Sequence, residues 1–260
     1  MGHPTGALGT DAPYHQRHSP LPKPENSKSP LLPQTIAPLN SAVDFAAYAP
    51  CVIGGYFLGS IPTGYLVARF RGVDIRTVGS GNIGATNVFR ILGKGPGTFV
   101  LLTDALKGFL ACWLLARLGA QLADATTPPS PARLETLQLT AGIAAILGHN
   151  YTCWLNFKGG KGIATTAGVL LALVPLALAI LLSLWGIVLA LTRYVSLASI
   201  IAAAALPVVV WITGGSLTLI VITGAIGALA IYKHKANFQR LLAGTENRIG
   251  TRKPSTPAAP

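Results

Sequence analysis

Four long stretches of this chain, residues 45–68, 136–157, 162–192 and 194–232, contain no Lys, Arg, Asp or Glu. A helix crosses the hydrocarbon layer of a bilayer with about 20 apolar residues, so each stretch is long enough to cross at least once. A soluble domain needs charge to coat its surface, yet only 11% of the residues are charged while 51% are hydrophobic. The mean hydropathy of +0.53 agrees. The expected fold class is an all-α polytopic membrane protein.

The charges that remain report topology. Lys and Arg number 20 against 8 Asp and Glu, a net charge of +12. They lie between the apolar runs, where they follow the positive-inside rule and can meet anionic ligands. No nucleic-acid partner is expected. Loop 69–97 carries Arg69, Arg71, Arg76, Arg90 and Lys94 against Asp74 and is expected in the cytoplasm, as are Lys158, Lys161 and the basic stretch 233–260. Loop 118–135, with balanced charge, belongs outside. Spans are therefore expected at 45–68, 98–117 and 136–157. Parity then requires an even number of crossings between Lys161 and Lys233. A turn at Gly214-Gly215 splits 194–232 into two, and a break at Pro175 splits 162–192 into a short helix and a full one. The expectation is about seven segments, one of them short, in a multi-pass protein of the bacterial inner membrane, with the N-terminus outside and the C-terminus inside.

Residues 1–44 are rich in Pro, Ser, Thr and His without periodicity, and read as a disordered tail. The membrane domain is expected over 45–250, with a second disordered tail at 251–260. No cleavable secretory signal is apparent, so the first span is expected to act as a signal-anchor. Cys51, Cys112 and Cys153 lie in apolar segments without CxxC spacing and read as reduced packing residues.

The polar motifs all fall on the expected cytoplasmic side. The first runs Gly79-Ser80-Gly81-Asn82-Ile83-Gly84-Ala85-Thr86-Asn87 and ends at Arg90. It matches GxGxxG, but no βαβ unit surrounds it and dinucleotide binding is rejected. Its glycines can still turn successive N–H groups onto an anion, with a short helix starting near Ala85 adding its positive end. Arg90 offers a bidentate pairing to phosphate. A plain Gly/Asn turn is the bland alternative. The second motif, Gly148-His149-Asn150-Tyr151 followed by Phe157-Lys158-Gly159-Gly160-Lys161-Gly162, fails as a Walker A loop. Leu155 stands where the first glycine belongs, and Gly162 replaces the Ser or Thr. Two lysines around glycines that open a helix at Ile163 remain a phosphate-seeking arrangement. His149 alone reads as a structural hydrogen-bonder.

The third set is Arg193, Ser196 and Ser199, spaced for one helical face, and His234 with Asn237 spaced likewise. Glu246 is the lone acid of the C-terminal basic stretch and reads as a salt-bridge partner. Asp104 and Lys107 can pair inside the second span. From these motifs alone, an enzyme acting on phosphorylated substrates and an organic-phosphate membrane transporter stand level. A transporter, though, would place its binding groups near the midplane, often in repeats, and no internal repeat is visible.

Four segments in order, GSGNIGATNVFRILGKGPG, GHNYTCWLNFKGGKGIATTAG, TRYVSLASI and HKANFQRLLAGTE, resemble the bacterial PlsY-type glycerol-3-phosphate acyltransferases over about residues 45–250. The resemblance implies transfer of an acyl group from acyl phosphate to the C1 hydroxyl of glycerol 3-phosphate. The products are lysophosphatidic acid and phosphate, in phospholipid biosynthesis. It implies no cofactor and no metal. The implied partners are the two substrates, membrane lipids and a functional link to an enzyme that forms acyl phosphate.

By this resemblance Ser80, Arg90, Lys161, His234 and Asn237 are catalytic. Gly79, Gly81, Asn82, Gly84, Thr86, Asn87, Gly159, Gly160, Gly162 and Ser199 bind substrate, and Glu246 is structural. The HX4D box of other glycerol-phosphate acyltransferases does not occur in the chain. An acyl phosphate is already activated, and no Ser-His-Asp set accompanies the motifs, so direct transfer without an acyl-enzyme is expected. His234 and the substrate's own phosphate are the two candidate bases.

Overall fold

The computed structural model describes residues 1–2 and 41–250, and in these every regular element is helical. Backbone groups in hydrocarbon must be satisfied within the segment itself, which helices achieve. The first run comprises α1 (Ser41–Ala49), a π-helical turn at Pro50–Gly54, α2 (Gly55–Ser60) and α3 (Thr63–Phe70). Pro50 has no N–H to give, and the widened turn begins at it. A small helix, α4 (Ala85–Leu92), precedes a second long run made of α5 (Lys94–Leu110), a π-turn at Ala111–Leu115 and α6 (Ala116–Ala123).

Helix α7 (Pro131–Asn150) starts with Pro131 in its first turn and the Ser130 hydroxyl accepting from the Arg133 N–H. Then come α8 (Ile163–Leu173), α9 (Pro175–Thr192), α10 (Val195–Ile212), α11 (Leu217–Lys233) and α12 (Lys235–Leu242), the last bent by 56° from α11. The α8–α9 break falls at Val174, whose backbone (φ −144°, ψ 69°) leaves the helical region that the following proline disfavours.

Among the described residues, four helical runs are long and apolar enough to cross a membrane: Phe45–Phe70, Lys94–Ala123, Pro175–Thr192 and Val195–Ile212. The bent pair α11–α12 makes a fifth if taken as one. Helix α7 has 20 residues but carries Arg133 and Glu135, and α8 has only 11. Four or five runs thus pass by length and composition alone, and helices occupy all seven expected segments.

The boundaries differ as well. The first helix starts at Ser41, inside the expected tail; the remaining tail residues, 3–40 and 251–260, lie outside the described ones. The second run reaches from Lys94 to Ala123, beyond the expected 98–117. The third ends at Asn150 instead of Phe157. Cys153, Trp154 and Leu155 form a 3₁₀ turn capped by the Thr152 hydroxyl, and Asn156 and Phe157 take left-handed backbone, so these apolar residues belong to a loop.

Close approach of small residues holds the bundle together. A Cβ on Gly59 of α2 would lie 2.1 Å from the Ala145 carbonyl oxygen of α7, and one on Gly168 of α8 would lie 1.8 Å from that of Ala105 on α5. Gly108 answers from α5, where a Cβ would reach within 2.1 Å of the Thr165 oxygen. Without a hydrophobic drive between helices in lipid, such contacts and interhelical hydrogen bonds supply the association. Large apolar side chains such as Leu102, Leu176, Leu191 and Trp211 point outward, exposed.

Candidate active site

The first motif forms a loop built around one buried amide. Asn87 Nδ2 donates to the carbonyls of Ile75 (3.2 Å) and Val78 (3.0 Å), while its Oδ1 accepts from the Ser80 N–H (2.9 Å) and the Arg90 guanidinium (3.3 Å). Gly79 and Gly81 take positive φ of 63° and 68°, and a Cβ on Gly79 would come within 2.3 Å of Asn87 Oδ1. Asn82 Oδ1 accepts from the Gly84 N–H (2.8 Å) and so delivers the chain into α4, with Ala85 and Thr86 at its first turn.

The second motif is laid over the end of α7. The Gly160 N–H donates to the His149 carbonyl (2.9 Å) and the Gly159 N–H to that of Asn150 (3.2 Å). A Cβ on Gly160 would lie 2.1 Å from His149 Nε2, so only glycine passes there. Gly162, at φ 81°, caps α8. Between them Lys161 turns inward, and its Nζ donates to Asn237 Oδ1 in a short contact.

Asn237 in turn donates to Glu246 (2.9 Å), which also accepts from Ser196 (3.1 Å) and Arg240 (2.7 Å). His234 Nδ1 lies 2.8 Å from the Ala230 carbonyl. A carbonyl only accepts, so the proton sits on Nδ1 and the Nε2 lone pair is left free. Ser199 receives a hydrogen bond from Trp185 Nε1 (3.2 Å) and donates to the Val195 carbonyl (2.8 Å).

These pieces enclose one polar cavity. Of the expected residues, Ser80, Asn82, Gly84, Thr86, Asn87, Arg90, Lys161, Gly162, Ser199, His234, Asn237 and Glu246 line it. Gly79 and Gly81 shape the loop without lining the cavity. Gly159 and Gly160 sit behind it, and their N–H groups are committed to carbonyls of α7 instead of pointing inward. Arg193 does not share a face with Ser196 and Ser199. It takes left-handed backbone at the α9–α10 junction, where its carbonyl accepts from the Ile249 N–H.

Sequence reasoning missed Leu101, Trp185 and Asn247, and named Asp104 and His149 without placing them on the cavity wall. Asp104 was legible as the partner of Lys107 (2.9 Å), a pair that is 2% and 4% exposed. Nothing in the apolar run around Trp185 marked it out.

The cavity wall carries Arg90 and Lys161 alongside the carboxylates of Asp104 and Glu246, and several helices start at it. First-turn residues of α4 (Ala85, Thr86), α8 (Ile163, Ala164), α10 (Val195, Ser196) and α12 (Asn237) all face it. First-turn N–H groups have no intrahelical partner, and a helix start carries partial positive charge. Burial, together with Arg240, Arg90 and Lys233 nearby, lowers the Lys161 ammonium to about 8, opposed by Glu246. Burial alone would raise the Glu246 carboxyl, but hydrogen bonds from Asn237 and Arg240 hold it below its ordinary value.

Beside the polar cavity runs an almost wholly apolar groove between α8, α9, α10 and α11, which shares Leu101, Ile163, Ala164, Trp185 and Ser199 with it. An anionic head joined to a hydrocarbon tail fits the pair of spaces.

Comparison with known proteins points the same way. The family model for glycerol-3-phosphate acyltransferase matches residues 49–244. A glycerol-3-phosphate acyltransferase of Synechococcus sp. is 47% identical over 208 residues, 79% of this chain and 96% of that protein. Another, from Geobacter sulfurreducens, is 48% identical over 194 residues, 75% and 93% of the two chains. The crystal structure of PlsY, an integral membrane glycerol 3-phosphate acyltransferase, in its glycerol 3-phosphate form superposes with a TM-score of 0.70 at 39% identity, covering 79% of this chain and 96% of that one. The lysophosphatidic acid form gives 0.68 at 38% identity with the same coverage.

Proposed function

The chain belongs to the glycerol-3-phosphate acyltransferase family and is an integral membrane acyltransferase, and from that premise we propose that it moves the acyl group of an acyl phosphate onto the C1 hydroxyl of glycerol 3-phosphate. The observation that carries this reading is a polar cavity ringed by four helix starts, with Arg90 and Lys161 on its wall, opening into an apolar groove. Two phosphorylated substrates need two anion seats, and a fatty acyl chain needs a dry one.

Lys161 and the start of α8 hold the phosphate of the donor, whose tail lies in the groove. Arg90, the Ser80 hydroxyl and the start of α4 hold the phosphate of the acceptor. The acceptor hydroxyl attacks the acyl carbonyl, the bond from carbonyl carbon to the bridging phosphate oxygen breaks, and inorganic phosphate leaves with lysophosphatidic acid as the other product. Lys161 and the first turn of α8, at Ile163 and Ala164, face the charge that develops on the leaving phosphate. Holding carbonyl and hydroxyl together supplies much of the remaining acceleration.

The acceptor proton goes either to His234 Nε2 or to the acceptor's own phosphate. Asn237 orients Lys161, Ser199 lies at the acyl end, and Glu246 ties α10 to α12. The basic motif loops face the cytoplasm of the bacterial inner membrane, by the excess of Lys and Arg at that end, with seven crossings and the N-terminus outside. An enzyme that forms acyl phosphate supplies the donor. Organic-phosphate transport is the weaker reading, since most polar side chains on the cavity wall come from the motif loops and helix ends, with Asp104 the exception inside a span.

Substrate-resolved kinetics test the assignment of seats. Arg90→Lys should raise KM for glycerol 3-phosphate and leave that for acyl phosphate nearly unchanged, while Lys161→Gln should do the reverse. Equal effects of each variant on both substrates would contradict the two-seat arrangement.

A further inference from the structure

A third space adjoins the cavity and the groove: a vestibule with Phe89, Lys94 and Ile249 on its walls. Among the described residues, only Leu101 and Trp185 border all three. Trp185 sits seven residues before Thr192, the end of α9, which places it about 10 Å inside that helix.

A tryptophan at this depth is commonly a belt residue, ring in lipid and N–H toward head groups. Trp185 is different. Its N–H points inward to Ser199, whose own hydroxyl is committed to the Val195 carbonyl, so the indole is pinned across the junction. Below it the groove follows three helices over matching eight-residue stretches, Ile163 to Leu170, Leu178 to Trp185 and Ser199 to Leu206, each about 10 Å long.

We propose that Trp185, with Leu101 on the wall of the same three spaces, is the residue that sets the register of the acyl chain and closes the groove to water at the reacting carbonyl. This rests on the acyl-phosphate reading above. The first methylenes of the donor pack on the indole, which stops the chain sliding toward the polar cavity or the vestibule and holds the carbonyl at the acceptor hydroxyl. Where the stop is missing, water competes. The anhydride bond from carbonyl carbon to phosphate oxygen breaks, water oxygen bonds to the acyl carbon, and the products are a fatty carboxylate and inorganic phosphate, with one water proton passing to phosphate and the other to solvent.

The test compares wild type, Trp185→Ala, Trp185→Phe and Leu101→Ala in lipid nanodiscs, with palmitoyl phosphate or lauroyl phosphate and glycerol 3-phosphate. Two ratios are read: phosphate released per lysophosphatidic acid formed, and palmitoyl over lauroyl turnover. A merely unfolded fraction lowers both products together and moves neither ratio. Wild type should release the two products one to one. Trp185→Ala should increase hydrolysis relative to transfer about tenfold, equivalent to about 1.4 kcal/mol of lost discrimination, and flatten the chain preference. Leu101→Ala should shift both ratios the same way and Trp185→Phe less. If Trp185→Ala is too unstable to purify, the other two variants decide. Unchanged ratios would overturn the inference, whereas wild type without turnover would overturn the acyl-phosphate reading itself.

Discussion

Lys161 is the residue whose titration the site makes visible. Its ammonium, lowered to about 8 by burial and nearby cations, is charged below that pH and neutral above it in the empty site. A phosphate binds the charged form, so above pH 8 binding must take up a proton, and KM for acyl phosphate should rise by up to about tenfold per pH unit. Lys161→Arg should remove that slope, because a guanidinium stays charged across the range, although its higher baseline KM would reflect the lost contact to Asn237. A slope unchanged in Lys161→Arg would assign the titration to another group. Arg90→Ala should weaken glycerol 3-phosphate by about 10–100-fold, the worth of a charged hydrogen-bonding partner of roughly 1.5–3 kcal/mol. His234→Ala separates the two bases: retention of most turnover assigns the proton to the substrate phosphate, and near-complete loss assigns it to Nε2.

At the scale of elements, the glycine seams and the buried ion pair position what the motifs contribute. Lys161 lies two residues before α8, and Gly168 and Gly108 let that helix lie against α5. Gly168→Leu must push the helices apart against backbone atoms. It should cost about 1–3 kcal/mol of stability, measurable by denaturation in detergent, and reduce activity by shifting the Lys161 loop.

The Asp104–Lys107 pair, with Lys107 also donating to the Ile61 carbonyl (3.0 Å), joins α5 to the break between α2 and α3. Lys107→Met strands a buried carboxylate and should cost about 3–5 kcal/mol, whereas Asp104→Leu with Lys107→Met should recover much of that loss. A double variant as unstable as the single would mean the cost is packing and not charge.

The elements also show what the sequence could reveal. Gly, Asn and Lys stand out against an apolar background, so the loops over Ser80, Lys161 and His234 were legible, as were the helix starts at Ala85 and Ile163. The end of the third helix was not, because Cys153-Trp154-Leu155 is as apolar as a span, and only left-handed Asn156 and Phe157 mark the loop. Nor could spacing reveal that the Gly159 and Gly160 N–H groups are used by carbonyls of α7, or that Trp185 turns inward, since both depend on which helices become neighbours.

For the whole molecule, the account is that loops from distant parts of the chain meet at one end of a membrane bundle, where two phosphates and an acyl tail are held together. The most direct measurement uses purified protein with palmitoyl phosphate and glycerol 3-phosphate, without coenzyme A or carrier protein, scoring both products. The account predicts lysophosphatidic acid and inorganic phosphate in equal amounts. Acylation that appears only when an acyl thioester is supplied would contradict it.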